Sequence, residues 1–247
     1  HTVRMDAIDR PTFASEDSRR IYEYVERHGT VERHKLRDVV SLPSEEFQDR
    51  LEELKTDGYL EEDGGTFRIA LEFGAIEKHD LGEFTVTVRP ARQRDFDGLI
   101  ETIRDVTSEE TYVVAETIAE QLLHEHTVSR HNAVESRVFF VATVDGDVVG
   151  WTHLDLHQVD PVREVAQQTV GVREAYRGHG IGSTLLQRGI EWAEANGYRK
   201  VYNSVPVVND GALEFLTAHG WNTEAIRKDH YTIDGEYIDE VMMAYEL

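Results

Sequence analysis

Cysteine is absent from the 247 residues, which excludes disulfides, thiolate zinc sites, iron–sulfur clusters and a cysteine nucleophile. Lysine is scarce: Lys35, Lys55, Lys78, Lys200 and Lys228 are five of 26 cationic residues, leaving 21 Arg. No run of about 18 apolar residues offers a membrane helix. The opening residues, HTVRMDAIDRPTF, lack the apolar stretch of a signal peptide. A cytoplasmic protein without a membrane partner is therefore expected. Hydrophobic residues make up 40% of the chain, enough for a folded core. The length fits one large domain or two modest ones.

Carboxylate is what the chain has in excess. Asp and Glu number 48, and the formal charge is −22. Such a surface repels itself at low ionic strength and disfavours nucleic acid and anionic membranes. Few Lys, many Arg and abundant acids together resemble proteins of salt-loving archaea that hold molar KCl. There the screening length falls to about 3 Å and the repulsion fades. Molar KCl should therefore raise the melting temperature. A melting temperature that stays flat or falls from low to molar KCl would contradict this reading.

Two regions are expected, residues 1–80 and 84–247, with a changeover near 73–85. In the first, Ser15 and Asp17 can cap a helix bearing Ile21, Tyr22 and Val25 on one face, ended by Gly29. A short helix carries Leu36, Val39 and Val40. Ser44 is expected to cap a third helix with Phe47, Leu51 and Leu54. YLEEDGGTFRIAL reads as a two-stranded ribbon turning at Asp63-Gly64-Gly65. Three helices and a ribbon over 14–72 resemble a winged helix-turn-helix domain. DNA is disfavoured as a partner, because the third helix carries Glu45, Glu46, Asp49, Glu52, Glu53 and Asp57 against Arg50 and Lys55. Interaction, dimerisation or substrate presentation is the preferred role, and a homodimer is compatible with it.

The second region alternates strands and helices, as expected of an α/β (α+β layered) architecture with a central mixed sheet. Strands are predicted at 85–89, 138–144, 148–156, 165–172, 200–205, 221–227 and 237–245. Helices are predicted at 95–106, 110–126, 181–196 and 209–219. The informative stretch runs from Val170 through Gly171 and Val172 to Arg177, Gly178, His179, Gly180, Ile181, Gly182 and Ser183. A strand ends, a glycine-rich turn follows, and a helix begins. Bare amides there can hold phosphate oxygens, Arg177 adds a cation and Ser183 a hydroxyl. It is not a Walker A loop, since no Gly-Lys-Ser/Thr follows.

Arg177-Gly178-His179-Gly180-Ile181-Gly182 resembles the acetyl-CoA signature of the GCN5-related N-acetyltransferases. The stretch from Asn209 to Gly220-Trp221 is similar to that family's second motif. The resemblance covers about 84–247. It implies a central mixed sheet splayed between the strand ending at Val172 and the strand 200–205, with helices on its flanks. Acetyl-CoA would lie in the opening, its pantetheine on the backbone of Val170 and Val172 and touched by Asn209. Its pyrophosphate would rest on the amides of 177–182. The Val172 amide would be the oxyanion donor while an amine, on a small molecule or a protein, attacks the thioester directly. Members often carry a Tyr acid where this chain has Leu216, so Tyr202, Tyr231, water or unassisted thiolate departure remain as alternatives.

The base is equally open. Glu164 precedes the central strand, and His153, Asp155 and His157 alternate along a strand that could face the opening. His179 reads as a spacer with its side chain in solvent. Glu109, Glu110 and Tyr112 could line an acidic entrance. His124, Glu125, His126 and His131 invite a metal, but i, i+2 spacing separates His124 from His126 on a helix, and no metal is expected. The alternative function is a regulator that senses acyl-CoA while its first domain binds DNA or a protein.

Overall fold

The computed structural model describes residues 13–70, 75–108, 112–128, 130–131, 135–157, 159 and 161–247. Helix α1 (Glu16–His28) opens at Ser15, whose hydroxyl oxygen accepts the Ser18 N–H at 3.0 Å, and closes at Gly29. Strand β1 (Thr30–Glu32), α2 (Arg33–Val39), α3 (Ser44–Thr56), β2 (Leu60–Asp63) and β3 (Thr66–Ile69) follow. The expected ribbon is β2 with β3, and β1 adds a third antiparallel strand in the order β1-β3-β2. Ser44 does not cap α3. It is the first helical residue, and its hydroxyl accepts from Arg37 at 2.8 Å. Ile21, Leu36, Leu51, Leu54 and Phe67 close a core cluster whose members all lie before residue 70.

The larger sheet has nine strands among the described residues. They are β4 (Glu77–Leu81), β5 (Phe84–Pro90), β6 (Arg130–His131), β7 (Glu135–Val144), β8 (Asp147–His157), β9 (Val165–Val172), β10 (Lys200–Pro206), β11 (Asn222–Ile233) and β12 (Glu236–Glu246). Their order is β11-β12-β10-β9-β8-β7-β5-β4, with β6 beside β7. The residue pattern leaves β4 in the changeover, yet it pairs antiparallel with β5 from Glu77–Val88 to Leu81–Phe84. A boundary at residue 80 therefore falls inside a strand of this sheet.

Helices α4 (Phe96–Thr107) and α5 (Val113–Glu125) cover one face of the sheet through Leu99, Ile103, Ile118 and Leu122, packed on Phe139 and Trp151. Helix α6 (Ile181–Ala195) and α7 (Asp210–Ala218) cover the other, where Leu186, Ile190 and Leu216 meet Leu154, Val201 and Trp221. The β5–α4 junction is fixed by a two-pronged ion pair, Arg89 Nη1 and Nη2 donating to Asp95 at 2.6 and 2.8 Å.

One irregularity creates the site. Strands β9 and β10 are parallel but pair only at Val165–Lys200, Ala166–Val201 and Gln167–Tyr202. Beyond that point they diverge and leave a gap in the middle of the sheet.

Candidate active site

The gap is a cleft of about 640 Å³. Its walls are Thr169–Val172 of β9, Asn203–Pro206 of β10, Tyr112–Ala115 at the start of α5, and Phe215 and Leu216 of α7. Arg177, Gly178, Gly180, Gly182, Ser183 and Asn209 close one end. Antiparallel pairing fixes which backbone groups face inward. The Arg173 N–H bonds Val149 C=O at 2.9 Å and Val172 lies opposite Gly150. Since hydrogen-bonded and non-bonded pairs alternate, the polar groups of Val170 and Val172 turn away from β8 toward the gap. Val170 thus has both backbone groups free for a ligand and Val172 its N–H, the Val172 C=O being taken by Arg177. Gly171 serves packing instead. A Cβ there would lie 2.1 Å from the Trp151 ring, so glycine lets the indole pack across β9.

At the closed end, Gly180 takes φ +86° at the position before α6, and no side chain caps the helix. The first-turn amides of Ile181, Gly182 and Ser183 are left to an external acceptor. No acid occupies that turn, although acids crowd the surface elsewhere. Arg177 is held in place by its Nε–H donating to Val172 C=O at 2.9 Å. The Ile181 side chain is buried, so this residue can contribute only backbone. Asn209 Oδ1 accepts the Ala212 N–H at 3.1 Å and caps α7, which leaves its amide nitrogen for a ligand.

Two expectations in this loop need correction. His179 is half-buried, its ring edge-on to Phe84 of β5 at 4.9 Å, rather than a spacer in solvent. Ser183 spends its hydroxyl on His219: His219 Nδ1–H donates to Phe215 C=O at 2.7 Å, so its Nε2 accepts from Ser183 Oγ at 2.8 Å. That bond ties α6 to α7 below the cleft.

Glu164, Tyr202 and Tyr231 are not brought to the cleft. Glu164 sits exposed at the opposite end of β9, beside Arg199 at 3.8 Å, and is excluded as a base by position. The Tyr231 hydroxyl donates to Glu240 Oε1 at 2.8 Å, while Arg227 Nε lies 2.5 Å from Oε2. Burial and that carboxylate raise the Tyr231 phenol above its ordinary value. Tyr202 lies one row short of the cleft, its phenol raised by burial and by Asp155. Neither tyrosine lines the cleft. Leu216 does, as expected, without a hydroxyl. Thr169 and Ser204, which nothing in the sequence pattern singles out, put hydroxyl-bearing residues in the wall.

Glu109 and Glu110 lie outside the described residues, and Tyr112 is at the cleft mouth. Among the described residues, no three His, Asp or Glu side chains gather for a metal. His131 Nδ1 is bonded to Ser136 Oγ, and burial holds its ring down to about 4. No described helix is long and apolar enough to cross a membrane.

A cleft with unspent strand backbone on one side and an uncapped helix N-terminus at its end fits a long thiol ester carrying a diphosphate. Comparison with known proteins agrees. Residues 100–221 match the acetyltransferase (GNAT) family. The chain is 35% identical over 118 residues to an N-alpha-acetyltransferase of Sulfurisphaera tokodaii, 44% of this chain and 69% of that protein. It is 37% identical over 93 residues to the uncharacterized N-acetyltransferase MJ1207 of Methanocaldococcus jannaschii, but spans only 41% of its length. Among solved structures, yncA from Salmonella typhimurium with its cofactor acetyl-CoA superposes with a TM-score of 0.52 at 21% identity, covering 66% of this chain and 94% of that one. The chain belongs to the GNAT family of N-acetyltransferases.

Proposed function

We propose that this protein transfers the acetyl group of acetyl-CoA to a primary amine by direct attack on the thioester. The observation that carries the reading is the divergence of β9 from β10, which exposes the Val170 backbone and the Val172 N–H beside the uncapped α6. Acetyl-CoA supplies an acyl carbon activated by sulfur. The protein's part is to hold it: amides of 177–182 on the pyrophosphate, Val170 and Val172 on the pantetheine, Asn209 alongside. The Val172 N–H then meets the carbonyl oxygen as negative charge grows there, an interaction stronger in the transition state than before it. The leaving thiol needs no strong acid, since its pKa is near that of a free thiol, about 8.5.

The acceptor class is an amine of a small molecule or of a protein, either Lys or an N-terminus. The archaeal relative's name, an N-alpha-acetyltransferase, supports the last of these. We assign the core 14–72 of the expected first region to a winged-helix-like unit that presents a protein partner or a second copy rather than DNA, with β4 left to the larger sheet. The exposed acids Glu45, Glu46, Asp49 and Glu52 on α3 would meet phosphates with like charge. The acidic surface supports a cytoplasm loaded with salt as the working environment.

Thiol release from acetyl-CoA in molar KCl, with an N-terminal-alanine peptide, a lysine peptide and spermidine as acceptors, tests the reading. Release above the amine-free background is expected with at least one. Tight CoA binding without release on any, together with DNA retention, would replace the transferase by a sensor.

A further inference from the structure

Four buried polar atoms beside the cleft have no hydrogen-bond partner among the described residues: Trp151 Nε1, both ring nitrogens of His153, and Thr169 Oγ1. The three residues are 0%, 3% and 6% exposed. They share one face of the sheet, because Trp151 and His153 are two apart on β8 and His153 lies directly opposite Thr169 on β9. Each buried group left unmade costs about 1–3 kcal/mol, and native folds rarely tolerate a cluster of them. Ordered water is the usual partner for such groups.

The donor and acceptor inventory says what such water could do. Trp Nε1 only donates, so it can anchor a water but pass no proton. A threonine hydroxyl and a neutral imidazole each donate on one side and accept on the other, as a relay requires. Thr169 lines the cleft. Two residues beyond His153 on the same face stands Asp155, in a row with Gln167 and half-buried Tyr202.

We infer that Thr169, His153 and intervening water carry the proton of the attacking amine from the cleft to the carboxylate of Asp155. The inference rests on the transferase reading. The amine lone pair forms the N–C bond, and the N–H proton leaves along this path to Asp155. The C–S bond then breaks, its electron pair departing with the thiolate, and Asp155 returns its proton to solvent. Burial beside Arg137 holds the His153 ring down to about 3, so it stays neutral and relays without trapping charge. Burial raises the Asp155 carboxyl against the opposing pull of His157 on its own strand and Arg137 on β7; Glu135 of β7 raises it further. A raised carboxylate is the better base at neutral pH.

The test uses the full chain in molar KCl with whichever of the three amines is turned over. Asp155→Asn and Thr169→Val should each lower kcat by about tenfold or more, with the acetyl-CoA Kd unchanged. The wild-type rate should rise with pH through the Asp155 titration; Asp155→Asn should lose that limb and Asp155→Glu should keep it. An Asp155→Asn enzyme with full kcat and an unmoved pH profile overturns the path. A high-resolution crystal structure supplies a readout that needs no acceptor and no variant: water bridging Thr169 Oγ and a His153 nitrogen is expected, and a dry contact overturns it. Failure of all three amines counts against the transferase reading, while the crystal structure still decides the path.

Discussion

Replacing Gly180 by Glu should weaken acetyl-CoA binding by about a hundredfold or more while the protein stays folded. Gly180 holds φ +86°, a conformation that costs an L-residue about 1–2 kcal/mol. Its neighbours are the unpaired amides that open α6, and an anion at a helix N-terminus is worth up to ~2 kcal/mol. A carboxylate planted there competes for those amides and repels the diphosphate. A side chain lets the turn relax off that conformation in the free protein, so binding must restore it; at about 1.4 kcal/mol per decade, that restored strain and the lost contacts together reach two decades. Only Leu81 Cδ2, at 3.8 Å, approaches a Cβ at this site, so the side chain has room and the fold should survive. Gly180→Ala isolates the strain and should lose about tenfold. Calorimetric Kd values in molar KCl, with a thermal melt of each variant, check both numbers.

The largest effect on stability is expected at Asp95. Its carboxylate accepts both Arg89 guanidinium nitrogens and the Arg92 N–H at 2.8 Å, with side-chain exposures of 11% for Arg89 and 7% for Asp95. Asp95→Ala leaves a buried guanidinium without its counter-charge, which costs about 3–5 kcal/mol. The melting temperature should fall by roughly 10 °C for a chain of this size. The pair holds the end of β5 to the start of α4, so the helical cover opposite α6 loosens with it. Arg89 and the Arg92 amide hold the Asp95 carboxyl below its ordinary value of 3.8 against the opposing effect of burial. Its contribution is therefore complete above the unfolded value and is lost as pH falls through the depressed folded one. Removing both charges, as Arg89→Met with Asp95→Leu, should recover much of the loss, because neither partner is then stranded. Denaturant titration at constant KCl measures each variant. A loss below about 1 kcal/mol for Asp95→Ala would match a solvent-exposed pair and contradict the buried-pair reading.

The features legible in the sequence are those with local causes. The turn at 177–182 and the cap at Asn209 are written in glycine and asparagine within a few residues of where they act, and both line the cleft. Strand β9 is a plain β run. Strand β4, with the sequence EKHDL, has no such pattern, because an edge strand there pairs on one side and buries little. Depth along a strand is the harder quantity. Glu164 and Thr169 lie five positions apart on one line, yet one is exposed beside Arg199 and the other is in the cleft wall. Residue type shows that Tyr202 and Tyr231 could donate a proton, but pairing register decides that they face Asp155 and Glu240 instead. Thr169 and Ser204 read as ordinary strand residues until β9 and β10 are seen to part. His179 needs Phe84, nearly a hundred residues earlier, to show that its ring is covered.

Titration of acetyl-CoA into the intact chain by calorimetry at molar KCl tests the central claim most directly. Saturable heat with one site per chain, abolished in Gly180→Glu, is the predicted result. A silent titration of the folded wild-type protein would mean that the gap between β9 and β10 does not receive the thioester, and would contradict the account at its root.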